Sequence, residues 1–122
     1  MSRPSPLKRR EVIDALRVGA VAAREPGPGE ALVALSAAAL NRRDVWIRLG
    51  KYGGIKLPAV LGSDGAGEVV AVGAGVTAWK PGDRVITQVV QGWIDGPYRS
   101  TYARTILGGA VPGVLGERIA LP

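Results

Sequence analysis

The 122-residue chain contains no cysteine, no histidine and no phenylalanine. Without Cys or His it cannot assemble a thiol nucleophile, a disulfide framework, a Cys/His zinc site or a Ser-His-Asp triad. A carboxylate-only magnesium or calcium site would need clustered Asp and Glu, and no such spacing occurs. With only three Trp and three Tyr, the core must be built from Val, Leu, Ile and Ala. No stretch approaches the roughly 20 apolar residues of a membrane span. The longest, ALVALSAAAL from Ala31 to Leu40, contains Ser36. The N-terminus lacks the apolar centre of a secretory signal, and Glu11 and Asp14 come early for a transit peptide, so the expected location is cytoplasmic.

Apolar residues make up 47% of the sequence, and 18 Gly and 9 Pro are spread between short apolar runs. That punctuation favours many short strands over a few long helices. The length fits one domain that buries about two thirds of its unfolded surface. The net charge is +6, which raises the question of nucleic acid as a partner. Arg3, Lys8, Arg9, Arg10 and Arg17 crowd the first 17 residues, whereas the remaining cations are scattered apart from the pair Arg42-Arg43. No aromatic residues are interleaved for base stacking. Residues 1–16 therefore read as a basic, flexible tail and residues 17–122 as the folded domain, with neither nucleic acid nor membrane as partner.

The stretch EVVAVGAGVTAWKPGDRV, residues 68–85, contains Gly73-Ala-Gly75-Val-Thr-Ala78, which matches the dinucleotide pattern G-x-G-x-x-A. In a phosphate loop those glycines open a helix whose N-terminal amides hold the pyrophosphate. Pro81 and Gly82 follow too soon for such a helix, and the acidic residue at the expected distance, Asp95, lies in the turn-like GWIDGP. The stretch reads as strand, turn and strand.

Elsewhere GAVAAR reads as a strand, EPGPGE as a turn leading to a hairpin, and ALVALSAAAL as a strand buried on both faces. Residues 41–50 carry the clearest helix signals: Asn41 as N-cap, Asp44 in the first turn, Arg48 in the last and Gly50 as the stop. Val45 and Leu49 would dock on the core with Ile47 and Trp46 alongside. LPAVLG, EVVAV, VTAW and RVITQVV, separated by SDGAG, GAG and KPGD, recur at strand-and-turn spacing and suggest a small barrel or sandwich. YRSTYARTIL reads equally as loop or short helix, and VLGERIAL as a last strand.

Taken in order, REPGPGEALVALSAAALNRRDVWIRLGKYGG, LPAVLGSDGAGEVVAVGAGVTAWKPGDRV, WIDGP and LGGAVPGVLGERIALP resemble the N-terminal catalytic domain of the medium-chain dehydrogenase/reductase superfamily, over residues 17–122. The resemblance is to its alcohol dehydrogenase and quinone oxidoreductase branches. It implies a GroES-like fold, a mainly β, partly open barrel with a few short helices. In zinc-dependent members a Cys stands at the position of Asn41, and a G-H-E motif stands where this chain reads Gly62-Ser63-Asp64. Asn and Ser offer neither thiolate nor imidazole, so the likeness is to zinc-independent quinone oxidoreductases. The resemblance implies NADPH as cofactor and a small carbonyl or quinone as substrate. Asn41 would lie near the nicotinamide ribose or the substrate oxygen, and Tyr52 would contact or protonate the substrate. Asp44, Trp46, Ser63 and Asp64 would line the same cleft.

The chain stops at Pro122, about where the family's Rossmann cofactor domain would begin, so a truncated chain is expected, completed by such a domain in cis or in trans and prone to homo-oligomerise. Two alternatives stay open: a stand-alone barrel that binds or assembles without catalysis, and a degenerate, inactive product.

Overall fold

The computed structural model describes residues 17–22 and 24–122. The expected basic tail, residues 1–16, lies outside them. Four strands, β1 (Ala31–Ala39), β2 (Asp64–Val72), β3 (Arg84–Ile86) and β4 (Arg118–Leu121), form one antiparallel sheet in the order β3-β2-β1-β4. A helix, α1 (Arg42–Arg48), joins β1 to the segment before β2, and a 3-10 helix spans Ser100–Thr105. The sheet is mainly strand-built and does not close, in keeping with a partly open GroES-like β fold.

The core lies where the first half of β1 crosses its neighbours. Ala31, Val33, Val69, Leu107, Val114 and Ile119 form one buried cluster, with Leu35, Val72, Val85, Val111 and Leu121 packed against it. Every member is aliphatic, as the absence of Phe requires. Three of the six aromatic residues form a satellite instead: Trp93, Tyr98 and Tyr102, the last within the 3-10 helix, pack at centroid separations of 5.5–5.9 Å, Trp93 edge-on to Tyr98 and stacked on Tyr102.

Several expectations need correction. β1 is buried on both faces only over Ala31–Val33; Ser36–Ala39 are exposed among the described residues, because β4 pairs with residues 31–34 alone. The turn at Pro28-Gly29 does not make a hairpin, since β1 pairs with β2 and β4. GAVAAR forms no strand among its described residues, nor do LPAVLG and VTAW. Conversely SDGAG is not a separator: Asp64–Gly67 are the first residues of β2. A strand can absorb these glycines because a side chain at Gly67 would overlap the Ala34 carbonyl across a register shift in β1. On α1 it is Ile47 that docks, while Val45 points outward.

Two turns are held by carboxylates. Glu30 accepts the Gly27 amide at 2.9 Å and pairs with Arg24, and Asp83 accepts both the Lys80 amide and its ammonium at 2.9 Å. The Gly27 amide, helped by Arg24, holds Glu30 below its ordinary 4.5; the Lys80 ammonium and then its amide hold Asp83 below 3.8. A carboxyl depressed in the folded state stabilises it above the unfolded pKa, and that contribution is lost as pH falls through the folded pKa. Stability should therefore decline on acidification below about pH 4.5, and Glu30→Gln should flatten the upper part of that decline in acid-titrated urea melts. An unchanged acid limb would refute the assignment.

Candidate functional site

The site is built around the start of α1. Asn41 is the N-cap, in extended conformation at φ −119° and ψ 159°. Asp44, three residues on, is 5% exposed and uses both carboxylate oxygens: Oδ2 accepts the Asn41 amide at 2.8 Å and Oδ1 the Gly62 amide at 2.9 Å. One buried side chain thus ties the helix start to the turn that leads into β2. From that turn Ser63 points inward, 3% exposed, and Asp64 outward, where it accepts Asn41 Nδ2 at 2.7 Å.

Arg43 forms the second tie. Its Nη1 donates to the Leu107 carbonyl at 2.6 Å and to Ser63 Oγ at 3.2 Å, while Ser63 Oγ donates to the same carbonyl at 3.3 Å. The Arg43 guanidinium carbon lies 5.0 Å from the centre of the Tyr52 ring. Asn41, Asp44, Ser63, Asp64 and Tyr52 are therefore drawn together through hydrogen bonds and the Arg43 cation. Trp46 stands apart on the outer side of α1, 39% exposed, beneath the Lys51 ammonium at 5.6 Å. An open apolar groove lined by Ala37, Ala38, Ala39, Gly65, Ala66 and Ile86 runs up to Asp64.

Arg43 and Leu107 are the residues that sequence reasoning missed. One local signal was available: a cation in the first turn of a helix opposes the helix dipole, so Arg43 at the second position calls for a tertiary reason. Its partners, 20 and 64 residues away, were not readable.

The donor set does not fit zinc. Among the described residues no three His, Cys, Asp or Glu come together. At the positions singled out by sequence stand an amide that donates to a carboxylate and a hydroxyl bonded to a guanidinium. Nor is Gly73-Ala-Gly75 a phosphate cradle. No helix follows it, Gly73 donates to the Glu30 carbonyl at 2.8 Å, and a side chain at Gly73 would overlap the Gly27 carbonyl. The close approach that this glycine permits is to the chain itself.

An open antiparallel sheet that carries its polar cluster between a short helix and the turn into β2 defines a recognisable class of domain. Residues 27–122 match the alcohol dehydrogenase GroES-like domain, and the chain belongs to that family. It is 40% identical over 96 residues to a zinc-type alcohol dehydrogenase-like protein of Schizosaccharomyces pombe, covering 78% of this chain and 28% of that protein. It is 54% identical over 61 residues to a quinone oxidoreductase of Pseudomonas aeruginosa, covering 50% of this chain and 19% of the relative. The solved quinone oxidoreductase of Pseudomonas syringae superimposes with a TM-score of 0.64 at 32% identity, over 90% of this chain and 28% of that one. The chain thus spans less than a third of the length of these relatives.

Proposed function

We propose that this chain is the substrate-side domain of a zinc-independent, NADPH-linked oxidoreductase that acts on quinones or conjugated carbonyls. The observation that carries the reading is the pairing of Asn41 with Asp64 and of Ser63 with Arg43, which ties up these side chains with one another and leaves an organic hydrogen-bonding site. When bound, a reduced nicotinamide supplies the hydride; the residues of this chain receive and orient the substrate. Asn41 sits at the cleft edge within reach of a ribose or substrate oxygen. Asp44 positions Asn41 from below, and Ser63 and Asp64 line the walls. Tyr52 is half-exposed, and its hydroxyl makes no hydrogen bond among the described residues, which suits a donor that delivers a proton to the reduced product. Trp46, under the Lys51 ammonium, stands outside this cleft. The apolar groove beside Asp64 suits a flat, apolar substrate body or the covering face of a cofactor domain. A cytoplasmic, homo-oligomeric enzyme completes the proposal.

The test is NADPH consumption with a quinone or an enone by the gene product as its own cell makes it, with the intact mass of that product measured alongside. Tyr52→Phe should lower kcat about tenfold with little change in KM, the pattern of a lost proton donor. No turnover with any quinone, enone or aldehyde would sink the reading. The exposed apolar groove and the open sheet edges favour a second reading, assembly without catalysis.

A further inference from the structure

We propose that the Arg43 guanidinium is an oxygen-binding site, which takes the carboxylate or conjugated carbonyl oxygen of the substrate. Arginine has five N–H donors. Nη1 is spent on Leu107 and Ser63, while Nε is buried with no partner and Nη2 has no acceptor among the described residues. No carboxylate among the described residues forms an ion pair with the cation. The ion pairs among the described residues are Arg24–Glu30 and Lys80–Asp83, and the nearby Asp44 and Asp64 are engaged with backbone amides and with Asn41. A partly buried guanidinium without a counter-charge is costly to keep, and a ligand oxygen removes that cost.

Two features shape the surroundings of the guanidinium. Nη2 packs directly over Gly109, in the place a Cβ there would take, so only a residue without a side chain admits it. The half-exposed Tyr52 ring covers one face of the guanidinium and leaves its edge for in-plane hydrogen bonds. A planar oxygen acceptor is what a fork of this shape prefers. Placed there, Arg43 would stabilise the negative charge that gathers on a carbonyl oxygen when a conjugated carbonyl is reduced. The inference rests on the reductase reading for that consequence, though not for the binding itself.

The test is nitrogen–proton NMR of the arginine side chains, titrated with crotonate, a small planar conjugated carboxylate. The Arg43 Nε–H signal can be assigned through its own side-chain carbons, with no variant required. It should exchange slowly in the unliganded chain and shift saturably with crotonate, while Arg42 and Arg48 on the exposed side of α1 drift without saturating. Arg43→Lys should weaken binding about tenfold or more, because an ammonium cannot form the fork. Gly109→Ala, which keeps Arg43 but intrudes on Nη2, should weaken it in the same direction. An Arg43 signal that stays fixed, or that moves only in step with Arg42 and Arg48, would overturn the inference. Reduction by the full gene product without the Arg43 shift would overturn this inference alone. A saturable shift with no reduction of any conjugated carbonyl would overturn the reductase reading alone.

Discussion

Asp44→Ala should cost about 3 kcal/mol and lower Tm by about 10 °C, a large share of a small domain's stability. A hydrogen bond to a charged group is worth about 1.5–3 kcal/mol, and Asp44 makes two, at 2.8 and 2.9 Å. Deleting the carboxylate leaves the Gly62 amide buried with no acceptor, which carries the full desolvation penalty. It also removes the cap from the Asn41 amide at the start of a helix of only seven residues, too short to persist on propensity alone. Asp44→Asn keeps one carbonyl oxygen and should lose about half as much. Urea midpoints of the two variants provide the check. A loss within about 0.5 kcal/mol for Asp44→Ala would place it with ordinary surface substitutions and remove the central tie from the site.

The same residue shows where sequence was sufficient. Asn41, Asp44, Arg48 and Gly50 act within one short helix, so their order along the chain specified its start and stop, and α1 spans residues 42–48 as expected. The aliphatic core was likewise legible, since the chain has no Phe; strand-and-turn spacing reached only a small barrel or sandwich, and the partly open fold was implied by the family resemblance. Pairing was not legible. The register that places Gly67 opposite Leu35 and brings β4 onto the first half of β1 depends on contacts between distant segments. Sequence therefore overstated the burial of Ser36–Ala39 and mistook the start of β2 for a turn. In the candidate site, Asn41 and Asp44 could be placed on a helix, but their coupling to Asp64 and Gly62 could not. Arg43 escaped notice because a cation beside another cation reads as solvated surface until its partners are known.

Gly108→Ala should destabilise the domain by about 3–5 kcal/mol, more than any other alanine replacement of a glycine with positive φ. Gly108 has φ +75°, where a residue with a Cβ pays about 1–3 kcal/mol. Its added Cβ would also lie 2.6–2.9 Å from the oxygen, nitrogen and carbonyl carbon of Gly62, all backbone atoms with no rotamer to yield. Gly92, at φ +83°, has open space around it, so Gly92→Ala isolates the conformational part and should lose only about 1 kcal/mol. The difference between the two variants measures how tightly the 107–109 loop is pressed onto the turn into β2. Because the Gly62 amide is the group that Asp44 holds, any shift of Gly62 should loosen that bond as well. Gly108→Ala and Asp44→Asn should therefore be non-additive, the double variant losing at least about 0.5 kcal/mol less than the sum of the singles. Strict additivity would mean that the loop and the helix cap the turn independently. The Leu107 carbonyl, and with it the Arg43 fork, would then be set by the loop alone.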